Sequence, residues 1–323
     1  MARSELSALF VAACFVSSTA MAAQFTSFSV PGAKNTIAVA INASGVVTGS
    51  YSVHGDKQAG FFRTPDGTIT TFAVPGFKST DPAAINDAGW IVGYSGAEKS
   101  FVRKPDGSVE TFQIDGAVYT TATAINAAGY VSGTFSNADH SSGSFLRAPD
   151  GTLTVVSVSN DEETSVYGLN DDNVLVGQIG FGESTHGFVL NNGKVTTLGT
   201  GTSVTAINNS GIAAGVTMAP NDNSRAFTVN AHGHVKPFGP KFSDIEVARV
   251  DQHGGVAGYY LDRHSRFHGF VFAGGQFVKI DEPDAGRRAP FAGTRVLDIN
   301  AAGALTGFFA SNRYRNTAFV WTP

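Results

Sequence analysis

The chain is poor in cysteine and in charge. Its 323 residues include one cysteine, Cys14, and only 15% are Asp, Glu, Lys or Arg. A single cysteine excludes a disulfide framework. The net charge is −4, and no run of Lys and Arg occurs. Because nucleic-acid binding needs a concentrated basic face, the sequence argues against a nucleic-acid partner.

Sequence motifs for metal binding and catalysis are also missing. The chain has no His-Glu-x-x-His, no paired cysteines and no Asp-x-Asp-x-Asp-Gly loop, so we expect neither a metal site nor a cofactor. The stretch Gly182-Glu183-Ser184-Thr185-His186 lacks the last glycine of a hydrolase nucleophile elbow. No apolar stretch after the N-terminus is long enough to predict a transmembrane helix.

The N-terminus resembles a targeting segment. Arg3 precedes an apolar run from Leu6 to Val16, and Ala20-Met21-Ala22 fits a small-residue cleavage site. We therefore predict a signal peptide over residues 1–23, one domain over 24–323, and a secreted or periplasmic bacterial protein. A minor alternative is lipid anchoring through Cys14, because Val11-Ala12-Ala13-Cys14 resembles a lipoprotein cleavage box.

Glycine (38 residues) and phenylalanine (25 residues) are abundant, and one phrase recurs seven times. Its cleanest form is Ala-Ile-Asn-x-x-Gly-x-Val-x-Gly-Tyr. Successive copies lie between 38 and 49 residues apart, a period typical of stacked or ring-closed arrays. The Asn or Asp of each copy is at Asn42, Asn86, Asn126, Asn170, Asn208, Asp251 and Asn300.

One repeat, residues 80–116, shows the order of strands and turns that all seven repeats share. Pro82 to Ile85 predicts strand A, and the turn Asn86-Asp87-Ala88-Gly89 leads into strand B at Trp90. Strand C begins at Ser100 and ends at the turn Pro105-Asp106-Gly107, which leads into strand D from Val109 to Ile114. Each repeat is therefore predicted to form four antiparallel strands. Strand C carries a phenylalanine in every copy, which we interpret as core: Phe61, Phe101, Phe145, Phe188, Phe227, Phe270 and Phe319.

The two chain ends complement one another. The seventh repeat stops after strand C, whereas Thr26-Ser27-Phe28-Ser29-Val30-Pro31-Gly32 matches the strand D phrase that begins at Thr70. Pairing of the ends would complete a seventh sheet and remove exposed sheet edges. The prediction is an all-β, seven-bladed β-propeller with four antiparallel strands per blade, its last blade closed by the N-terminal strand. An open β-solenoid would explain the period but not the split repeat.

The repeat phrase, followed by His186-Gly187-Phe188 and His268-Gly269-Phe270, resembles the HAF family of bacterial extracellular repeats. The resemblance covers essentially the whole mature chain. It implies secretion and a propeller-like array, and it implies no chemistry. Because the histidine occurs in two copies only, it does not point to a catalytic role shared by the repeats.

The irregular segments all fall on one predicted face, where strands B and C and successive repeats are joined. Loops on a rigid scaffold are where binding usually occurs. Arg side chains suit carboxylate, sulfate or phosphate groups, and a tyrosine can stack on a sugar. The candidate ligand-binding residues lie in repeats six and seven: Arg263, Arg266, Arg287, Arg288, Arg313, Tyr314 and Arg315.

Three functions fit these observations. The first is a binding module for an anionic polysaccharide or cell-surface component. The second is a polysaccharide-active lyase or hydrolase, for which Tyr260, His264 and Arg266 are the catalytic candidates. The third is a structural extracellular interaction protein. The sequence leaves the ligand and the oligomeric state open, because propellers support unrelated functions.

Overall fold

The structure is a computed structural model that describes residues 23–53, 57–96, 98–159, 162–217, 224–230, 233–242 and 244–323. Residues 1–22 of the predicted signal peptide, with Cys14, lie outside the described residues. Within those ranges, no helix has the length and apolar character that crossing a bilayer requires.

The strands are numbered in chain order. The first, β1, covers Gln24–Phe28. Blade 1 contains β2 (Asn35–Ile41), β3 (Val47–Ser52), β4 (Gln58–Arg63) and β5 (Ile69–Phe72). Blade 2 contains β6 (Asp81–Ile85), β7 (Ile91–Ser95), β8 (Lys99–Arg103) and β9 (Val109–Phe112). Blade 3 contains β10 (Ala117–Ile125), β11 (Val131–Asn137), β12 (Ser142–Arg147) and β13 (Leu153–Val156).

The remaining blades repeat this order. Blade 4 contains β14 (Thr164–Leu169), β15 (Leu175–Ile179), a 3₁₀ turn (Gly182–Ser184), β16 (His186–Asn191) and β17 (Lys194–Thr200). Blade 5 contains β18 (Thr202–Ile207), β19 (Ala213–Thr217), β20 (Arg225–Val229) and β21 (Val235–Pro237). Blade 6 contains β22 (Asp244–Val250), β23 (Val256–Leu261), β24 (Phe267–Ala273) and β25 (Gln276–Ile280). Blade 7 contains β26 (Gly293–Ile299), β27 (Leu305–Ala310) and β28 (Asn316–Thr322), and β1 is its fourth strand.

The N-terminal strand closes the ring, as the split repeat predicts. β1 pairs antiparallel with β28, with Ser27 opposite Phe319 and Phe28 opposite Ala318. The ring of Phe25 lies edge-on to that of Phe319, 5.4 Å between centroids. Each blade is a four-stranded antiparallel sheet, and a single parallel bridge joins blades 6 and 7. The seven-bladed propeller with a shared last blade is therefore confirmed.

Strand D ends earlier than the sequence predicts. In blade 2 the prediction continues to Ile114, whereas β9 ends at Phe112. The reason is a hydrogen bond from the Ile114 amide to the buried hydroxyl of Thr120, at the start of the next blade. The same contact recurs from Val30 to Thr36, Val74 to Thr80, Val158 to Thr164 and Glu282 to Thr294. In each of these blades the chain therefore leaves the sheet after strand D, and its backbone amide bonds to the threonine hydroxyl of the next blade.

The second glycine of the repeat phrase is a packing requirement. A Cβ on Gly93 would lie 2.0 Å from the carbonyl oxygen of Asp81, where a bulge in strand A brings the two backbones together. In all seven blades the corresponding distance is between 1.9 and 2.1 Å. The same glycine faces the strand C phenylalanine across the sheet, as Gly93 faces Phe101. All seven of these phenylalanines are 0% exposed, which confirms them as core.

Adjacent blades pack through aromatic rings. The strand D phenylalanine of one blade lies edge-on to the strand C phenylalanine of the next, a favourable geometry, in Phe28–Phe61, Phe72–Phe101 and Phe112–Phe145. A guanidinium covers the outer ring of each pair at 5.0 to 5.1 Å, in Arg63 over Phe28, Arg103 over Phe72 and Arg147 over Phe112. These arginines therefore belong to the interface between blades.

The asparagine of the repeat phrase has two roles. Its side-chain oxygen accepts the amide four residues later, as Asn86 does from Trp90, and so closes the turn between strands A and B. Its side-chain amide donates to the backbone carbonyl of the equivalent residue in the next blade, as Asn86 does to Asn126. Six such bonds, 2.7 to 3.2 Å long, run around the ring and include Asn300 to Asn42 across the chain ends. The seventh place is Asp251, which has no side-chain amide.

An ion pair lies beside that missing bond. Blades 1 to 5 begin the phrase with Ala or Gly, but blade 6 has Arg249 and blade 7 has Asp298. Nε of Arg249 donates to Oδ1 of Asp298 at 2.8 Å. Oδ2 of Asp298 accepts the amide of Ile41 in blade 1 at 2.9 Å. Asp298 is therefore a polar connection between three consecutive blades.

Replacing Gly93 with alanine should destabilise the protein by roughly 1–3 kcal/mol or more, because the new methyl group collides with backbone. Gly199 is the matched control, since a Cβ there meets nothing within 4 Å. Thermal unfolding should show a lower Tm for Gly93→Ala and little change for Gly199→Ala. Equal Tm values for the two variants would contradict the packing explanation.

A double-mutant cycle tests the connection through Asp298. Arg249→Ala and Asp298→Ala should each destabilise by roughly 1–3 kcal/mol, because each leaves polar groups unpaired. The double variant restores the alanine found in most other blades, so it should lose less than the sum of the two single variants. Denaturant unfolding gives the three free energies, and strict additivity would show that the pair is not coupled.

Candidate functional site

The two ends of the ring differ as the sequence predicts. The tight turns between strands A and B and between strands C and D share one end, where a Cβ on Gly45 would lie 3.4 Å from Pro65. The longer connections lie at the opposite end. The longest of them joins β25 to β26 and covers residues 281–292.

Three segments at this end form one continuous surface, here called the platform: residues 262–266, 281–292 and 311–315. The amide of Phe291 donates to the carbonyl of Ser265 at 2.5 Å, which joins the long connection to the blade 6 hairpin. The amide of Arg288 donates to the side-chain oxygen of Asn312 at 2.8 Å, which joins it to the blade 7 hairpin. Hydrogen bonds donated by backbone amides of the long connection therefore fix the relative positions of all three segments.

Two of the predicted arginines are held by the protein itself. Nη2 and Nε of Arg266 donate to Asp262 at 2.7 and 3.1 Å, and its Nη1 donates to the carbonyl of Arg287. The guanidinium of Arg315 donates to the carbonyls of Ala33 and Lys34 at 3.1 Å. Arg266 and Arg315 therefore stabilise the platform.

The other arginines of the platform project into solvent. Arg263, Arg287, Arg288 and Arg313 are exposed, and none of them forms an ion pair with another described residue. Arg287 has one side-chain hydrogen bond, from Nη2 to the carbonyl of Pro283 at 3.2 Å. Two large aromatic side chains accompany them, Phe291 (55% exposed) and Tyr314 (58% exposed). The platform thus presents cationic and aromatic groups together. Phe291 was not predicted from the sequence, because nothing in its local pattern separates an exposed phenylalanine from a core one.

The nearby carboxylates do not neutralise these arginines. Glu282 is 4% exposed and accepts hydrogen bonds from the hydroxyl of Ser27 and the amide of Asp284. Asp281 is bonded to His268 and to Lys279. Asp284 alone among the acidic residues of the long connection is exposed. The exposed arginines of the platform therefore outnumber its exposed carboxylates, and its surface charge is positive.

The three catalytic candidates occupy different environments. His264 and Arg266 lie together on the blade 6 hairpin, with Nδ1 of His264 3.2 Å from Nη2 of Arg266. Tyr260 is 9% exposed, and its ring stacks on Phe242 at 3.9 Å between centroids. Burial, with the charges of Asp281 and Asp262, raises the pKa of Tyr260 to about 12. His264 is therefore exposed at the surface, whereas Tyr260 is buried.

The sequence analysis missed a polar cluster around His268. Nδ1 of His268 lies 2.8 Å from Asp281, and its Nε2 lies 3.3 Å from Asp262. The bond to Asp281 raises the pKa of His268, although burial opposes the shift. Burial would raise the pKa of Asp281, but hydrogen bonds from His268 and Lys279 lower it below its usual range. The strand order of the repeat could have predicted this cluster, because Asp281 directly follows strand D and so lies beside His268 in strand C.

The cleft beside this cluster is small. It has a volume of about 40 Å³ and is lined by residues that include Arg266, His268, Asp281 and Gly286. Such a volume accommodates about one water molecule rather than a sugar ring. A ligand of the platform would therefore lie on its surface.

Comparisons with known proteins show the fold alone. No family model matches the chain and no curated protein matches it, so the HAF resemblance stays a prediction. The chain is similar to the solved structure of virginiamycin B lyase from Staphylococcus aureus, with a TM-score of 0.62 and 11% identity over 92% of this chain and 99% of that chain. A catalytically inactive histidine-to-alanine variant of that lyase with quinupristin gives the same TM-score at 12% identity, with coverage of 92% and 99%.

A third similar structure is the β-propeller domain of the Trilobed protease from Pyrococcus furiosus. Its TM-score is 0.61 at 8% identity, over 89% of this chain and 96% of that chain. That domain is described as having an open velcro topology. The present chain differs, because β1 pairs with β28 and closes the ring.

The protonation of His268 should depend on Asp281. Because its pKa is raised in the folded state, the stabilisation from charged His268 is fully present below the unfolded pKa of about 6.5 and is lost as pH rises through the folded-state value. Since the pKa of Asp281 is lowered, its own contribution is present above about pH 3.9 and is lost as pH falls through its folded-state value. An NMR titration of His268 should give a pKa that falls in Asp281→Asn and is unchanged in Asp284→Asn. An unchanged value in Asp281→Asn would show that the bond does not control the histidine.

Proposed function

We propose that this protein is a secreted or periplasmic binding module that recognises an anionic glycan of a polysaccharide or cell surface through the platform. The observation that carries the proposal is the group of four exposed arginines, Arg263, Arg287, Arg288 and Arg313, on segments joined by hydrogen bonds from backbone amides. Guanidinium groups match carboxylate and sulfate oxygens in geometry and charge. A polymer with repeated anionic groups would contact several of them at once.

Two aromatic residues support a glycan rather than a simple anion. Tyr314 and Phe291 have φ angles of 56° and 59°, in the left-handed region. That region costs most side chains roughly 1 kcal/mol, and glycine or asparagine usually occupies it. Exposed aromatic residues at strained positions suggest a surface role, since an aromatic ring provides an apolar face on which a sugar can stack.

A surface-bound polymer also fits the shape of this region. The cleft at His268, of about 40 Å³, is too small to enclose a sugar, whereas the platform spans loops of two blades. Enzymes that cleave polysaccharides position an acid and a base around one sugar. Because Tyr260 is buried against Phe242, a binding role is better supported than catalysis by Tyr260, His264 and Arg266.

Binding to heparin and to polygalacturonate, measured by calorimetry at low ionic strength, tests the proposal. The double variant Arg287→Ala with Arg288→Ala should bind at least about tenfold more weakly, since two charge-assisted contacts are lost. The matched control is Lys194→Ala with Lys236→Ala, which removes the same charge from exposed positions in other blades. Added salt should weaken wild-type binding.

A second variant separates stacking from charge. Tyr314→Gly keeps every arginine and relieves the left-handed backbone position, so its thermal stability should be equal to or above wild type. Its glycan affinity should fall. Binding to neither polymer, or equal affinity in the arginine variant and the lysine control, would overturn the proposed function.

A further inference from the structure

A second cavity lies in the wall of the central channel, away from the platform. It has a volume of about 390 Å³ and is formed by the first two strands of blades 4 and 5 and the first strand of blade 6. That volume is in the range of pockets for small molecules. Its walls are formed by Tyr167, Gln178, Ser203, Thr205, Val216, Glu246 and Val247. Three blades therefore contribute polar groups to one concave surface.

Glu246 is the only charged residue of this lining. Its side chain is accessible to solvent, yet the surrounding protein removes part of its hydration. This desolvation, with the nearby charge of Asp244, raises the pKa of the Glu246 carboxyl. The carboxylate of Glu246 forms no hydrogen bond and no ion pair with any described residue, so its charge is uncompensated.

The equivalent positions of other blades show that charges in this tier usually have partners. In blade 2 the position is Asp81, which accepts a hydrogen bond from Gln58. In blade 7 it is Arg295, whose guanidinium lies 3.6 Å from the ring centroid of Phe267. Glu246 has neither kind of contact. A partly desolvated carboxylate of this kind is stabilised by a cation.

Two tyrosines lie near the carboxyl. Tyr167 lines the cavity from blade 4 at a strand bulge. Tyr259 is the cross-strand neighbour of Glu246 in β23, and its ring centroid lies 5.9 Å from the guanidinium of Arg295. The charge of Glu246, after burial, contributes to raising the pKa of Tyr259 to about 12. Carboxylates and tyrosine rings together are the groups that bind organic ammonium ions. Gln178 and Ser203 add hydrogen-bonding groups for hydroxyls.

We propose that this channel cavity is a binding site for a small hydroxylated organic cation, such as an amino sugar, whose ammonium group pairs with Glu246. The site is separate from the platform and has the opposite charge preference. The negative charge of Asp244, also in β22, acts on Glu246 and reinforces the preference of the site for a cation. The nearby guanidinium of Arg295 is instead stacked on Phe267. A ligand of this class would supply the positive charge that the protein itself does not bring to Glu246.

Calorimetric titration of the full chain with glucosamine near pH 7 tests the proposal, with N-acetylglucosamine as the neutral probe of similar shape. Glucosamine should bind, and N-acetylglucosamine should bind at least tenfold more weakly. Glu246→Gln, which keeps the side-chain shape, should weaken glucosamine binding at least tenfold. Asp284→Asn is the control for loss of one carboxylate and should bind as wild type does.

Two results would overturn the proposal. One is the absence of glucosamine binding at millimolar concentration. The other is equal binding by wild type and Glu246→Gln, which would place the ligand elsewhere. The variant Arg287→Ala with Arg288→Ala should leave glucosamine affinity unchanged. A loss of glucosamine binding in that variant would assign the ligand to the platform and exclude the channel cavity.

Discussion

The hydrogen bond from a turn asparagine to the carbonyl of the next blade is the constraint on which the ring depends. Each blade is a sheet that could pack on its neighbour in several registers, because aromatic and aliphatic contacts are not directional. A side-chain amide that must meet one carbonyl fixes a single register. Six such bonds, including one from Asn300 to Asn42 across the chain ends, define the inner rim. At Asp251 this bond is missing, and the pair of Arg249 with Asp298 lies at the same junction.

A fixed inner rim explains the division between the two ends of the molecule. The turns between strands A and B carry this asparagine, or Asp251 in blade 6, and all have the same length. The last residue of each turn has a positive φ and is a glycine, or Asn173 in blade 4. The connections at the other end have no such requirement. The longest of them, residues 281–292, lies there and is held by bonds to the blade 6 and blade 7 hairpins. The platform is thus a variable surface with a constrained backbone, which suits recognition because little ordering accompanies binding.

The sequence predicts the architecture well because repetition multiplies a weak local signal. One turn of the form Asn-x-x-Gly indicates a hairpin. Five such turns, with the related turns Asn170 to Asn173 and Asp251 to Gly254 and a split last repeat, predict the number of blades and the closure. The site is less predictable because its contacts join residues distant in sequence. The sequence suggests Arg266 as a ligand-binding candidate, but only the structure shows that its guanidinium is hydrogen-bonded to Asp262. Glu246 has no local motif, and its isolation depends on which groups of three blades meet in the channel.

The net charge of the molecule says little about its binding surfaces, because the unpaired charges lie in separate places. With a net charge of −4, the chain presents unpaired arginines on the outer platform and an unpaired carboxylate in the channel. Arginines elsewhere, such as Arg63 and Arg147, are covered by or stacked on phenylalanine between blades and strengthen the ring. An arginine that stacks on an aromatic ring, or that forms a hydrogen bond or ion pair, has a role in stabilising the fold. Among the described residues the side chains of Arg288 and Glu246 have no such contact, and the side chain of Arg287 has a single hydrogen bond, to the carbonyl of Pro283. Side chains with so little structural role are candidates for recognition.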